Sequence, residues 1–399
     1  MLSDAATLPP PPAPHAAPTL LVPTPLVPDQ TTPDQTVLDL PARCGLEAVR
    51  ERLRQDDRNK WDLTVPRERL MLGGGRLVLP EEFRDEYPER LDLSGWATMQ
   101  ACQRLGIPAQ YFVRCPPPLR DVQFNHWLWK AANEPDDELL PEEDEESGLS
   151  NRSSADGLRP WLLRGKEGAV RAVLSDRYAP LDNADLLATL TPLLEGRFEV
   201  KTLLLTPESL HLRLVDPRLA REVLPDDRLM VGLHIANSEV GRRSVTVDAL
   251  VYRLVCQNGL IRLVKGRSLL RQRHVSWDRP RFQDALARSL SEAITAGAGL
   301  IERLSLATRM PVPDVEGVIL ALSRQAGLTQ RVQDGVRRAL LATPAPQQQT
   351  VYGFVQALTL TAQDLPPDDR YDLEVVAGRL LEEGLPSPVR PAAGFPARE

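Results

Sequence analysis

The chain has 399 residues, 42% of them hydrophobic and 26% charged, with a formal net charge of −7. That size and apolar content exclude a wholly disordered chain and allow two domains or one large one. No run approaches the roughly 18 apolar residues that span a bilayer, and no basic stretch precedes an apolar one at the start, so the expectation is a cytoplasmic protein without a membrane partner.

Residues 1–36 are too rich in proline for a helix or a sheet ladder and read as a disordered arm. From residue 43 to 132 the chain reads as a helical or mixed part of the core. "GLEAVRERLRQDD" puts Leu46, Val49 and Leu53 on one helix face, and Ser94 is placed to cap a helix that Gly106 and Pro108 stop. "LGGGRL" at 72–77 lacks the lysine of a phosphate loop and reads as a turn. In "FNHWLWK", residues Phe124, His126, Trp127 and Trp129 fit either core packing or base stacking.

Residues 133–157 hold ten acids against Arg152 and read as a disordered acidic insertion. Residues 1–40 add four aspartates and no basic residue, so the acidity of the chain belongs to these accessory segments. Residues 158–280 form a β-rich core: hairpins at 161–175 and 198–215 flank a helix over "NADLLATLTPLL", and further strands run to 265 as one mixed sheet. Asn258-Gly259 between alternating runs predicts a two-residue hairpin turn. From 281 to 385 the period becomes helical, with a stripe from Phe282 to Leu304, a kink expected at Gly297 and Gly299, and four more amphipathic helices. A tail, 386–399, follows. The fold class is α+β: a mixed, largely antiparallel sheet with an inserted helix, an N-terminal helical part and a C-terminal helical subdomain.

Cys44, Cys102, Cys115 and Cys256 stand far apart without histidines at ligand spacing. No zinc, phosphate-loop, dinucleotide or hydrolase motif occurs, so no catalytic residue, metal or cofactor is assigned. Charge is the better signal. Between 242 and 281, Arg242, Arg243, Arg253, Arg262, Lys265, Arg267, Arg271, Arg273, Arg279 and Arg281 face only Asp248 and Asp278. Arginine suits phosphate because its planar fork donates paired hydrogen bonds and never loses its charge. Trp277, Tyr178 and Tyr252 are the candidate stacking residues beside it, with His274 in the same basic loop. A solvated charged face is the alternative.

The blocks "LGIPAQYFVRCPPPLRD" (105–121), "LSDRYAPLDN" (174–183), "ANSEVGRRSVTVDALVYRLVCQNGLI" (236–261) and "TVYGFVQALTLTAQDL" (350–365) resemble the phage/plasmid-like family called domain of unknown function 932. "NSEVG" followed by "YRLVCQNG" is its most specific part, contributing Asn237, Ser238, Gly241, Tyr252, Cys256, Asn258 and Gly259 as motif residues. The resemblance implies a mobile-element setting and no mechanism. Read from the residues, Asn237, Ser238 and Gly241 suit a turn between strands and Cys256 a buried strand position. The leading expectation is a non-catalytic protein that binds nucleic acid, single-stranded DNA foremost, in replication, recombination or maintenance of a mobile element. The alternative is a protein-interaction or assembly factor working through the helical subdomain or the acidic insertion, with self-association open. A third is a metal-dependent hydrolase or nuclease using Asp176, Asp182, Asp185 and Glu239, whose spacing is not diagnostic of a metal.

Overall fold

The computed structural model describes residues 45–133, 159–253, 259–262, 268–275 and 278–386. The proline-rich arm, the acidic insertion after Asn133 and the tail after Pro386 lie outside them. So do Cys256, Asn258, Lys265, Arg267 and Trp277.

The fold is α+β, and the described residues form two six-stranded sheets. In chain order, α1 (Leu46–Asp56) leads into β1 (Lys60–Val65), β2 (Met71–Gly73), β3 (Arg76–Val78) and β4 (Arg90–Leu93). Helices α2 (Gly95–Leu105), α3 (Ala109–Arg114) and α4 (Pro117–Asn133) follow, then β5 (Trp161–Lys166) and β6 (Ala169–Ser175). The first sheet has the order β1-β5-β6-β4-β3-β2 and is mixed, because β4 runs parallel to β6. A single sheet over 160–265 is therefore corrected: β5 and β6 close back onto strands from residues 60–93. The β4 partner is only four residues long and β3 and β2 beyond it three each, too few alternations to reveal a period, while β1 is a six-residue strand about 100 residues from its partner β5.

Helix α5 (Asn183–Leu194) crosses to the second sheet: β7 (Glu199–Leu205), β8 (Leu210–Leu224), β9 (Asp227–Asn237), β10 (Val245–Arg253), β11 (Gly259–Arg262) and β12 (Leu270–Gln272). Its order is β11-β10-β9-β8-β7, and β12 pairs with the start of β10. The turn expected at Asn258-Gly259 is also corrected. Tyr252 pairs with Gly259, with six residues between them, whereas a two-residue turn there would pair Gln257 with Leu260. The observed register sets Val251 against Leu260 and Leu250 against Ile261, all buried, and burial outweighs turn preference.

The C-terminal part is helical: α6 (Arg279–Ala307), α7 (Val315–Ala326), α8 (Gln330–Ala342), α9 (Ala345–Gln348), α10 (Val351–Ala362) and α11 (Pro367–Glu383). Asp314, Thr329 and Thr350 cap α7, α8 and α10 by accepting a backbone N–H. Helix α6 runs as one continuous helix through Gly297 and Gly299. A Cβ on Gly297 would lie 2.5 Å from Val231 Cγ1, and the glycine instead allows α6 to approach β9 closely. The first half of α6 packs with α1, α5 and one face of the second sheet. Its second half packs with α7, α8, α10 and α11 against Leu229, Val231, Val251 and Leu260. The first sheet has its own core with α2, α3 and α4. Among the described residues, no helix is long and apolar enough to cross a membrane.

Candidate functional site

The motif segment Asn237–Gly241 follows β9 and enters the seam between the two sheets. Gly241 has φ 75°, a left-handed conformation that its lack of a Cβ permits. Asn237 Nδ2 donates to Leu181 O (3.0 Å) and Asn183 Oδ1 (2.9 Å). Ser238 Oγ donates to Glu208 O (2.7 Å) and accepts from the Arg242 backbone N–H (2.9 Å). Trp96 Nε1 and Gln100 Nε2, both from α2, donate to Val240 O at 2.9 Å. Ser238 and Gly241 shape the turn, whereas Asn237 is the last residue of β9 and its amide ties that strand to the segment around the start of α5.

Glu239 is the centre of this seam, only 4% exposed. Its carboxylate accepts from Arg171 (3.1 Å), from the Asn183 backbone N–H (2.9 Å) and from Lys60 Nζ. Lys60 Nζ lies 2.9 Å from Asp56, 2.6 Å from Asp57 and 2.8 Å from Glu239. Burial raises the Glu239 carboxyl, but Lys60 and Arg171 outweigh it and hold the group below the ordinary carboxylate range. The carboxylates proposed for a metal do not converge: Asp185 is exposed, Asp176 pairs with Arg159 at 3.7 Å, and Asp182 pairs with Arg164 at 2.6 Å. Glu239 meets Asp56 and Asp57 instead, and the protein supplies its own cation there, the Lys60 ammonium.

A second buried network joins β8, β9 and β10 to α11. His211 Nε2 lies 3.0 Å from Asp368 Oδ1, and its Nδ1 lies 3.2 Å from His234 Nε2. Burial raises the Asp368 carboxyl, but the His211 hydrogen bond and the Arg243 charge outweigh it and hold it well below its usual range. An ionised Asp368 requires a proton on His211 Nε2, so Nδ1 accepts from His234. Burial, and then the Arg243 charge, push His211 down to about 3, and both rings stay neutral near pH 7. Tyr371 donates to Asp248 (3.0 Å), and Arg213 donates to Glu374 (2.7 Å). This ionic and histidine network went unseen in the sequence. Its signal was the polar residue at an inward position of an apolar strand, as in "LHLRLV" and "GLHIAN".

These networks absorb part of the expected nucleic-acid surface. Arg242 pairs with Asp368 (2.7 Å) and Glu208 (2.9 Å) and lies over the Trp96 ring. Arg243 pairs with Asp368 at 3.0 Å and covers Tyr371. Arg253 is held by Asp227 and Gln356. The three are corrected from phosphate contacts to internal ion pairs, because sequence charge counts cannot see carboxylates that arrive from residues 208, 227 and 368. Tyr252 is 4% exposed and cannot stack on a base. Tyr178 is corrected likewise: its ring stacks on His274 at 5.1 Å and its hydroxyl donates to the carbonyls of Ser238 and Glu239, 3.1 Å from each. Arg262 closes β11, in register with Ala249.

What remains exposed is a narrower basic face. Arg271 and Arg273 project from β12 and the residue after it, and Arg279, Arg281 and Arg288 are exposed along the start of α6. The bridge between Tyr178 and Val275 brings the exposed Arg177 beside them. Asp278 and Asp284 are the acids of that stretch, and Asp278 caps α6 by accepting from the Arg281 N–H. In "FNHWLWK", Phe124 and Leu128 are buried, Trp127 packs partly against them, and Trp129 is 57% exposed. The glycine turn at 74–75 does hold a carboxylate, that of Asp121, at 2.7 and 2.9 Å from its N–H groups. Chemically, the exposed face can neutralise phosphates, while the buried networks serve to join elements.

The family model described as "Domain of unknown function (DUF932)" matches residues 170–363, spanning β6 to α10 and including the motif segment Asn237–Gly241. No curated protein and no solved structure matches the chain.

Proposed function

We propose, from the premise that this chain belongs through residues 170–363 to the family described as domain of unknown function 932, that it is a non-catalytic nucleic-acid-binding protein. Single-stranded DNA is the proposed ligand, and replication, recombination or maintenance of a mobile element in the cytoplasm the proposed setting. The setting rests on the resemblance of the sequence blocks alone. The observation that carries the binding reading is the exposed arginine cluster of β12 and early α6, Arg271, Arg273, Arg279, Arg281 and Arg288, against Asp278 and Asp284. Lys265 and Arg267 adjoin it in sequence. Such a face attracts phosphate without reading bases, so affinity rather than sequence choice is its product.

Anisotropy titration of single- and double-stranded oligonucleotides between ~50 and ~200 mM salt tests this. Binding is expected to weaken steeply with salt, and a triple change of Arg271, Arg273 and Arg281 to Ala should make the log–log slope shallower by about two units at −0.7 per contact. No binding at the lowest salt, or an unchanged slope in the triple variant, overturns the reading. A second reading, a protein-interaction factor, is favoured by one observation. Large apolar side chains are exposed both on the C-terminal helices (Leu306, Leu320, Leu341 and Leu360) and on α3 and α4 (Tyr111, Val113, Leu119, Val122 and Trp129), which supports that reading.

A further inference from the structure

Helix α4 carries apolar side chains on two opposite sides. At about 100° per residue, Phe124 and Leu128 fall on one side, where they are buried in the core of the first sheet. Leu119, Val122, His126 and Trp129 fall within about 80° of one another on the other side. All four are exposed, Val122 at 67% and Trp129 at 57%. Their spacing of three, four and three residues is that of a seam between two helices, which a solvated face has no need of. Because the stripe lies opposite the packed side, it points away from the body of the molecule and leaves room for a partner helix.

We propose that this face binds a second copy of the same chain, with the two α4 helices antiparallel about a two-fold axis level with Phe124. Leu119 and Trp129 stand equally far on either side of that level, and so do Val122 and His126. Leu119 therefore meets Trp129 of the partner subunit, and Val122 meets His126 of the partner subunit. Each layer joins an aliphatic side chain to a ring, so the stripe is self-complementary, as a two-fold contact requires. Charge selects the direction. Arg114 and Arg120 stand at the N-terminal end of α4, and Asn133 at its other end is followed in sequence by Glu134, Asp136, Asp137 and Glu138. Antiparallel helices bring these acids beside the arginines of the other copy, whereas parallel helices would set the two acidic runs together. The helix dipoles favour the same direction. A helix of 17 residues spans only about 25 Å, so the interface is small and its affinity micromolar.

Sedimentation equilibrium of the full chain tests the proposal, with a monomer–dimer Kd of about 1 to 100 μM expected. Val122→Arg sets like charges across the middle of the seam and should weaken the dimer at least about tenfold. Its melting temperature should match that of the wild type at concentrations where both are monomeric, because Val122 packs against nothing within its own chain. Leu119→Glu and Trp129→Lys should each weaken the dimer in the same way. The double variant should associate more tightly than either single one, because the new carboxylate of one copy then faces the new ammonium of the other. Wild-type affinity in Val122→Arg, or a double variant no tighter than the singles, overturns the antiparallel seam. A full chain that stays monomeric at ~300 μM also overturns it, including the case in which deletion of residues 134–158 releases a dimer, since the acidic segment is then the occupant. The Arg271, Arg273 and Arg281 triple variant should dimerise normally, so loss of oligonucleotide binding and loss of self-association report on separate surfaces.

Discussion

His274 shows how a polar residue can belong to the interior. It is 7% exposed, stacked on Tyr178, and its carbonyl accepts from the Ala179 N–H at 2.8 Å. Burial pushes its imidazole down to about 4, and burial with the Arg243 charge pushes His211 to about 3. The unfolded chain would bind these protons near pH 6.5, so the folded state loses stability as pH falls from there toward 4, and above 6.5 neither histidine contributes a pH dependence. Each should contribute a slope of about 1.4 kcal/mol per pH unit inside that window. Urea unfolding at pH 7 and pH 5 checks this: His274→Phe should lower stability at pH 7 less than it flattens the loss between the two pH values. An unchanged pH slope would show that His274 titrates normally.

At the scale of elements, close approach decides where α6 can lie. The α6 backbone passes so near β9 that a methyl group on Gly297 would overlap Val231. Gly297→Ala should destabilise by about 1–3 kcal/mol through overpacking, although alanine is the better helix former by about 1 kcal/mol. Combining it with Val231→Ala should recover part of that loss, and a double-mutant cycle in denaturant measures the coupling. Additive effects would mean that the helix shifts freely. The caps at Ser94, Asp314, Thr329 and Thr350 are more local matters, and the sequence shows the first of them plainly.

The whole molecule has separate hydrophobic cores under its two sheets, joined at the Asn237–Gly241 seam. Glu239 is the charge that Lys60 of β1, Arg171 of β6 and the start of α5 share, so removing it takes the counter-charge from the largely buried Arg171 and leaves Lys60 to Asp56 and Asp57 alone. Glu239→Ala should cost about 3–5 kcal/mol and split a single calorimetric transition into two, as the sheets lose their common anchor. A single transition of undiminished midpoint would remove the seam from its joining role. The same separation explains what could be read in advance. Helices α1, α2, α5, α7, α8, α10 and α11, and the long strands β7–β10, were legible because their periods and caps are local properties of neighbouring residues. The α+β class followed from them. Partition into two sheets was not legible, since it depends on β5 and β6 pairing with strands about 80–100 residues earlier. The charge run at 242–281 was legible as composition, yet its meaning was tertiary: Arg242, Arg243 and Arg253 find carboxylates that folding delivers from Asp368, Glu208 and Asp227. Sequence spacing determines which residues share a strand or helix face, and only the assembled fold determines which distant charge arrives opposite each one.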